Sequence, residues 1–298
     1  MATRKIAKTV KKAVTKVVKT PVKKPAAKSA AKPAKTGGKL GGRKALLLSL
    51  AKTVDQAAFT ATGIKQLSDS VEITLDEAYE VQRLMIAERL KRGEKRIGMK
   101  MGFTSRAKMV QMGLSDLIWG RLTSRMIVEE GGTLKLSDYV HPRVEPEIAF
   151  LLKKPLSGVV TPVQALAAVE AVAVAMEIID SRYENFKFSL SDVVADNASS
   201  SGVVLGPWHA PDLDFANLGL VLSFNGTAKQ IGSTAGILGH PLRSLVAAAR
   251  MVAQAGEQLN AGDIVMAGGI TAAEALTPGT YVETEMQHLG RVAFNVVS

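Results

Sequence analysis

Three carboxylates stand out by position. Glu145 and Glu147 flank Pro146 and lead into the apolar run Ile148–Leu152. On an extended chain, residues two apart project to the same side, so both acids would face one point. Glu177 sits in Val172–Ile179, a stretch that is otherwise apolar. A carboxylate inside such a strand is costly to bury unless something positive neutralises it. The chain has no cysteine and only four scattered histidines, so three converging carboxylates favour a hard cation, Mg2+ or Mn2+, in an octahedral oxygen shell. Such a shell would keep positions open for a bidentate substrate and a water. A plainer arrangement uses the same residues: a solvated strand end for Glu145 and Glu147, and Glu177 paired with a buried arginine such as Arg182.

Lys100 lies in the apolar segment Gly98–Met101, just ahead of Gly102-Phe103-Thr104-Ser105. Half-buried, its ammonium could receive an anionic substrate or move a proton; exposed, its stem would only cover apolar neighbours. Asp180-Ser181-Arg182, Asp192 and Ala195–Ser201 crowd small hydroxyl and amide groups ahead of Val203–Leu205, as either a capped turn or a binding loop. Ser199 lacks the nucleophile-elbow context of a hydrolase. Neither a Walker A loop nor a dinucleotide fingerprint occurs. His141, His209, His240 and His288 fall beside turns or strand ends and read as structural.

The elements that must position these residues are α+β. Lys44–Gly93 is helical in pattern, with Leu75, Tyr79, Leu84, Ile86 and Leu90 near a 3.6-residue period and Thr74 with Glu77 as a capping box. Strands are expected at Ile97–Met101, Glu147–Leu152, Val172–Ile179, Val203–Leu205, Leu218–Phe224, Asp263–Ala267 and Val292–Val297, with helices at Pro162–Val169 and Leu242–Ala255. The domain expectation is a catalytic unit over 45–298, helical over 45–96 and a mixed-sheet core over 97–298.

Residues 1–44 read as a disordered Lys/Ala/Pro tail. They hold 15 Lys plus Arg and no acid, which leaves 23 basic against 27 acidic residues in the remainder, a net −4. The overall charge of +11 therefore belongs to the tail alone. Prolines 21, 25 and 33 oppose a long helix there, and the lysines suit a solvated linker or non-specific polyanion binding by counterion release. No apolar run approaches the ~20 residues of a membrane span, and the absence of cysteine is compatible with a reducing cytoplasm.

Five segments in this order resemble the hydratase/decarboxylase branch of the fumarylacetoacetate hydrolase superfamily: Lys100–Ser105, Glu145–Phe150, Met176–Arg182, Ala195–Ser200 and Ala267–Thr271. The likeness spans about residues 44–298. It implies a helical N-terminal part and a C-terminal mixed β-sheet or roll. It also implies Mg2+ or Mn2+ on Glu145, Glu147 and Glu177, and Lys100 and Ser199 at the substrate, with Arg182, Ile118 and Thr271 as further pocket candidates. Tyr183–Phe188 is similar to the decarboxylases of the branch, and Ile118 stands where the hydratases tend to carry an Asp that handles water. An apolar wall that includes Ile118 and Trp119 is expected. The implied reaction is metal-dependent decarboxylation of 2-oxo-3-hexenedioate, a small 2-oxo diacid, to 2-hydroxypenta-2,4-dienoate and CO2 in meta-cleavage breakdown of aromatic compounds. Hydration of the dienoate is the alternative. Implied partners are further copies of the chain and the pathway hydratase.

Overall fold

The computed structural model describes residues 37–105, 109 and 116–298. The expected tail lies outside the described residues up to position 36. Its last eight positions are helical, because α1 spans Gly37–Phe59 and runs through both glycine pairs. Arg43 on this helix donates to Glu77 at 2.7 Å and to the Glu72 carbonyl at 2.8 Å, which ties it to α2 (Leu75–Lys91). Among the described residues no helix is long and apolar enough to cross a membrane.

Thr74 and Glu77 form the capping box that starts α2. The buried face of α2 is Ala78, Val81, Gln82, Met85 and Ile86, whereas Leu75 and Leu90 are exposed. The expected stripe is thus rotated toward smaller residues. Gln82 is the polar member of that face, and its amide donates to the carbonyls of Trp119 (3.0 Å) and Val194 (2.9 Å).

Beyond the helices the chain folds into two sheets. The larger comprises β1 (Arg96–Gly102), β2 (Ile118–Thr123), β3 (Ile127–Val128), β5 (Arg143–Leu152), β6 (Val169–Ile179), β7 (Ser200–His209), β10 (Ile264–Met266) and β11 (Glu274–Ala275). Its order is β2-β1-β10-β5-β6-β7-β3, with β11 beside β5. The smaller runs β4-β13-β12-β8-β9, from β4 (Thr133–Lys135), β8 (Gly219–Phe224), β9 (Thr227–Ser233), β12 (Tyr281–Met286) and β13 (Gly290–Val297). Among the described residues, further helices are α3 (Pro162–Ala167), α4 (Leu190–Ala195) and α5 (Pro241–Gln254).

The two faces of the large sheet differ in chemistry. Ile148, Phe150, Val172, Val174, Met176 and Ile178 project to one side and share the main core with Leu222, Val282 and Phe294 of the small sheet. The opposite face carries Ala149, Ala175 and Met266 beside the expected ligands, packed in a smaller cluster with Leu122, Met126 and Val203.

Pro146 lies inside β5, where a missing N–H would ordinarily break a ladder. The sheet accommodates it. β10 pairs with β5 at Ala149–Leu151 and β11 at Arg143–Val144, and between them the chain leaves the sheet and passes Pro146 as a loop. Ala267 N donates to Ile148 O and Ile270 N to Pro146 O, so that edge asks for no donor from the proline.

Phe150 is fully buried between the sheets and meets Phe215 edge-on at 5.6 Å. Phe150→Ala is expected to lower the unfolding free energy by about 3–5 kcal/mol, read as a shift in the urea midpoint at unchanged slope.

Candidate active site

Glu145 and Glu177 are direct cross-strand partners on β5 and β6, and Glu147 follows two residues along β5 on the same face. Carboxylate oxygens of the three lie within 4.8 Å of one another. Glu147 and Glu177 are completely buried and Glu145 partly so. One oxygen of Glu147 and one of Glu177 have no hydrogen-bond partner despite being buried.

Lys100 Nζ donates to Glu177 Oε2 at 3.0 Å, and its side chain is 4% exposed, so it is neither a surface lysine nor a distant one. On a flat sheet, three strand spacings of ~4.8 Å would hold β1 and β6 roughly 14 Å apart. The contact therefore takes nearly the full reach of the lysine and glutamate side chains, which lean toward each other along the sheet face. Burial works against the Lys100 charge, but Glu177, Glu145 and Glu147 outweigh it and the net direction of its pKa is upward. Burial raises Glu147 well above the usual carboxylate range, and Glu177 and Glu145 add to this. Burial likewise lifts Glu177 to about 7, with Lys100 opposing. One ammonium does not satisfy three buried carboxylates. The donor set, all oxygen, with buried oxygens left unpaired, fits a hard dication.

The loop that bypasses Pro146 completes this corner. Gly268 N donates to Glu147 Oε2 at 2.7 Å. Gly269 packs so closely on Glu145 that a Cβ there would overlap its carboxylate, and one on Gly268 would overlap Thr104.

The 197–199 turn closes the opposite side. Asn197, Ala198 and Ser199 are successive left-handed residues with φ of 52°, 52° and 57°, a costly conformation held by its surroundings. The Asn197 side chain accepts from Arg121 N at 2.7 Å and donates to Arg121 O at 2.9 Å, so the amide replaces a neighbouring strand along the outer edge of β2. Gly120 permits the approach, because a side chain there would collide with the Asn197 carbonyl. Ser199 N donates to Asp196 O and Ser199 O accepts from Asp180 N, which leaves its buried hydroxyl unpartnered and lining the cavity.

The remaining cavity wall is mostly apolar, from Phe103, Ile118, Ile179, Phe186, Phe188 and Val193, with Thr104 and Ser105 as its polar members. Phe186 is gripped by the Arg143 guanidinium at 4.6 Å and by the His141 ring at 5.1 Å. Among the described residues the lining holds Lys100 and Glu145 as its charged groups and no histidine.

The structure thus brings together Glu145, Glu147, Glu177, Lys100, Ser199 and Ile118. Three expected residues lie elsewhere. Arg182 is buried with its guanidinium engaged by Asp196, the Asp180 carbonyl and Ser201, so it has no free face for a substrate. It is not the partner of Glu177 either. Thr271 bonds its hydroxyl to Ala272 O at 3.1 Å and packs toward Gly232. Trp119 points to the other side of β2 from Ile118 and stacks on Tyr79 at 5.6 Å. Residues not singled out for the pocket are Phe103, Phe186, Phe188, Ile179 and Val193. The phenylalanines sit inside segments quoted for the resemblance, whereas Val193 has no local signature. No histidine lines this cavity among the described residues, and His240 caps α5, its Nδ1 accepting from Leu242 N at 3.1 Å.

The sequence profile described as Fumarylacetoacetate (FAA) hydrolase C-terminal matches residues 104–297. The chain belongs to the fumarylacetoacetate hydrolase family. It is 61% identical over 246 residues to a 4-oxalocrotonate decarboxylase from a Pseudomonas species, covering 83% of this chain and 96% of the relative. The 4-oxalocrotonate decarboxylase of Pseudomonas putida G7, solved in complex with magnesium and adipate, superposes with a TM-score of 0.83 at 38% identity, over 85% of this chain and 98% of that one. A 2-keto-4-pentenoate hydratase of Paraburkholderia xenovorans is 33% identical over 81% of this chain and 91% of its own length.

Asn197→Ala would strand a buried N–H and C=O on Arg121. A loss of about 2–4 kcal/mol in unfolding free energy is expected from denaturant titration, well above that of a surface substitution.

Proposed function

We propose that the chain is a divalent-metal-dependent decarboxylase acting on 2-oxo-3-hexenedioate and releasing 2-hydroxypenta-2,4-dienoate and CO2. The observation that carries this reading is the buried trio Glu145, Glu147 and Glu177, with oxygens left unpaired, opening onto an apolar cavity whose one cation is Lys100 among the described residues. The 61% identity to a 4-oxalocrotonate decarboxylase supports it, and the hydratases stand further off.

The three glutamates would hold Mg2+ or Mn2+. When bound, the ion supplies Lewis acidity toward the 2-oxo acid end of the substrate, a contribution of several kcal/mol to stabilising developing negative charge. Loss of C6 as CO2 leaves an electron pair at C5 that is conjugated through the C3–C4 double bond with the C2 oxygen, and uptake of one proton from solvent at that oxygen gives the 2-hydroxy dienoate. Lys100 sits against the carboxylate trio and cancels the one negative charge that three carboxylates and a dication leave, so that an incoming dianion meets a neutral site. With Lys100 protonated and a dication present, the three carboxylates are neutralised in full. Ser199 offers a hydroxyl free to donate to a substrate oxygen. Phe103, Ile118, Phe186 and Phe188 keep water from the far end, where a poorly solvated carboxylate is more readily lost than a hydrated one. The apolar part of the lining and the 61% identity to a decarboxylase favour decarboxylation over hydration. The dienol product is unstable, so the reading includes association with the hydratase that consumes it.

Purified protein with Mg2+ is expected to release CO2 from 2-oxo-3-hexenedioate and to stop on addition of a chelator. Consumption of 2-hydroxypenta-2,4-dienoate with no CO2 would identify a hydratase instead. Glu177→Ala should abolish Mn2+ binding in calorimetry together with turnover; undiminished affinity would remove the ligand assignment. Lys100→Ala should retain the metal yet lose roughly 100-fold or more in kcat/KM, the scale of removing one charged donor from a reacting site.

A further inference from the structure

A second cavity sits behind the carboxylate site and shares no lining residue with it. The end of α2, the turn after α1 and the chain around Asp180 enclose it, and four arginines line it: Arg89, Arg92, Arg125 and Arg182. Two are already neutralised. Arg92 grips Asp55 through two bonds of 2.6 and 2.7 Å, and Arg182 is paired with Asp196. The acids of the lining are occupied or peripheral. Asp180 accepts from the backbone N–H groups of Val140 (2.9 Å) and His141 (2.8 Å), Glu94 accepts from the Thr123 hydroxyl at 2.5 Å, and Asp138 is exposed at the rim.

Arg89 is the buried arginine of the lining whose ion pair, with Glu94, is a long one. Its side chain is 13% exposed, and the nearest Glu94 oxygen stands at 3.9 Å, beyond hydrogen-bond length. Its Nε is buried with no acceptor. Burial, and then the like charge of Arg182, press its pKa downward. A guanidinium presents a planar fork of donors that matches an oxyanion through two parallel bonds, and a buried one left without an acceptor is costly. Arg125 is exposed at the mouth of the same cavity.

We propose that this cavity is a binding site for a small oxyanion, carboxylate or phosphate in kind, with Arg89 as the buried anchor and Arg125 guarding the mouth. The assignment is independent of the reaction proposed above. Arg182 adds a connection to it: this arginine lines the cavity and holds Asp196, the residue that begins the turn ending at Ser199.

The test is calorimetric titration of the full Mg2+-loaded chain with sodium sulfate, against sodium chloride at matched ionic strength. The basic N-terminal segment also attracts sulfate, so the informative quantity is the difference between proteins that share it. Wild type is expected to show a saturable site that is about tenfold weaker in Arg89→Gln, the loss of one charge-assisted contact, and weakened also in Arg125→Gln. Mg2+ affinity should be unchanged in both. Equal sulfate affinity in wild type and Arg89→Gln would overturn the proposal. Should Arg89→Gln fail to fold, exposed Arg125 decides: undiminished sulfate binding in Arg125→Gln overturns it equally.

Discussion

The structure is organised around a buried excess of negative charge: three carboxylates on one sheet face, with a single ammonium 3.0 Å from one of them. Left to itself this cluster is unfavourable, because burial and mutual repulsion both oppose ionisation. The neighbouring architecture concentrates the charge instead of diluting it. Lys100 reaches Glu177 across the sheet face, and Gly268 and Gly269 allow the backbone to settle directly on the acids. A site arranged in this way is stable mainly as a receptor for positive charge, and the cost of building it comes back when a dication binds.

Pro146 connects that chemistry to the fold. Its missing N–H removes the demand for a paired strand on one side of β5, and the gap between β10 and β11 opens at that place. The displaced segment donates Gly268 N to Glu147 and presses Gly269 against Glu145. A residue that looks like a strand breaker therefore creates the loop that holds two of the carboxylates in place. Asn197 plays the matching role on the far side, where a side-chain amide pairs with an edge strand that backbone does not reach.

The carboxylates and Lys100 were legible in the sequence because each violates its surroundings: a charge in an apolar strand demands an explanation. Most long strands were legible for the same reason their cores are buried. β9 was not, since Thr227–Ser233 is an exposed edge of polar residues, and β12 alternates Val, Thr and Met with Glu, which halves its apolar content. On α2 the large leucines drew the eye, yet the buried face is Ala78, Val81, Gln82, Met85 and Ile86, and Gln82 goes inward because its amide meets two backbone carbonyls there. Arg182 and Thr271 belong to segments quoted for the family likeness, but membership of such a segment does not fix direction. Asp196 claims the arginine, and Thr271 turns toward β9. Trp119 fails for the simplest reason, as strand residues alternate and Ile118 already faces the cavity.

That alternation bears on how one scaffold serves two chemistries. Relatives named as decarboxylases and as hydratases both match along most of this chain, so in the proposed reading a small local difference can separate the two reactions. β2 offers one position that can set it. Ile118 is opposite Gly102 in the ladder, and its side chain lies over that glycine because no Cβ blocks it, which brings an apolar group beside Lys100 and the phenylalanines. An acid at 118 would sit in the same place, with Lys100 to balance its charge, and could hold a water against the bound chain. An isoleucine excludes that water and leaves the distal carboxylate facing hydrocarbon. In the proposed reading, the choice between adding water and expelling CO2 therefore turns on whether this one strand position is wet or dry.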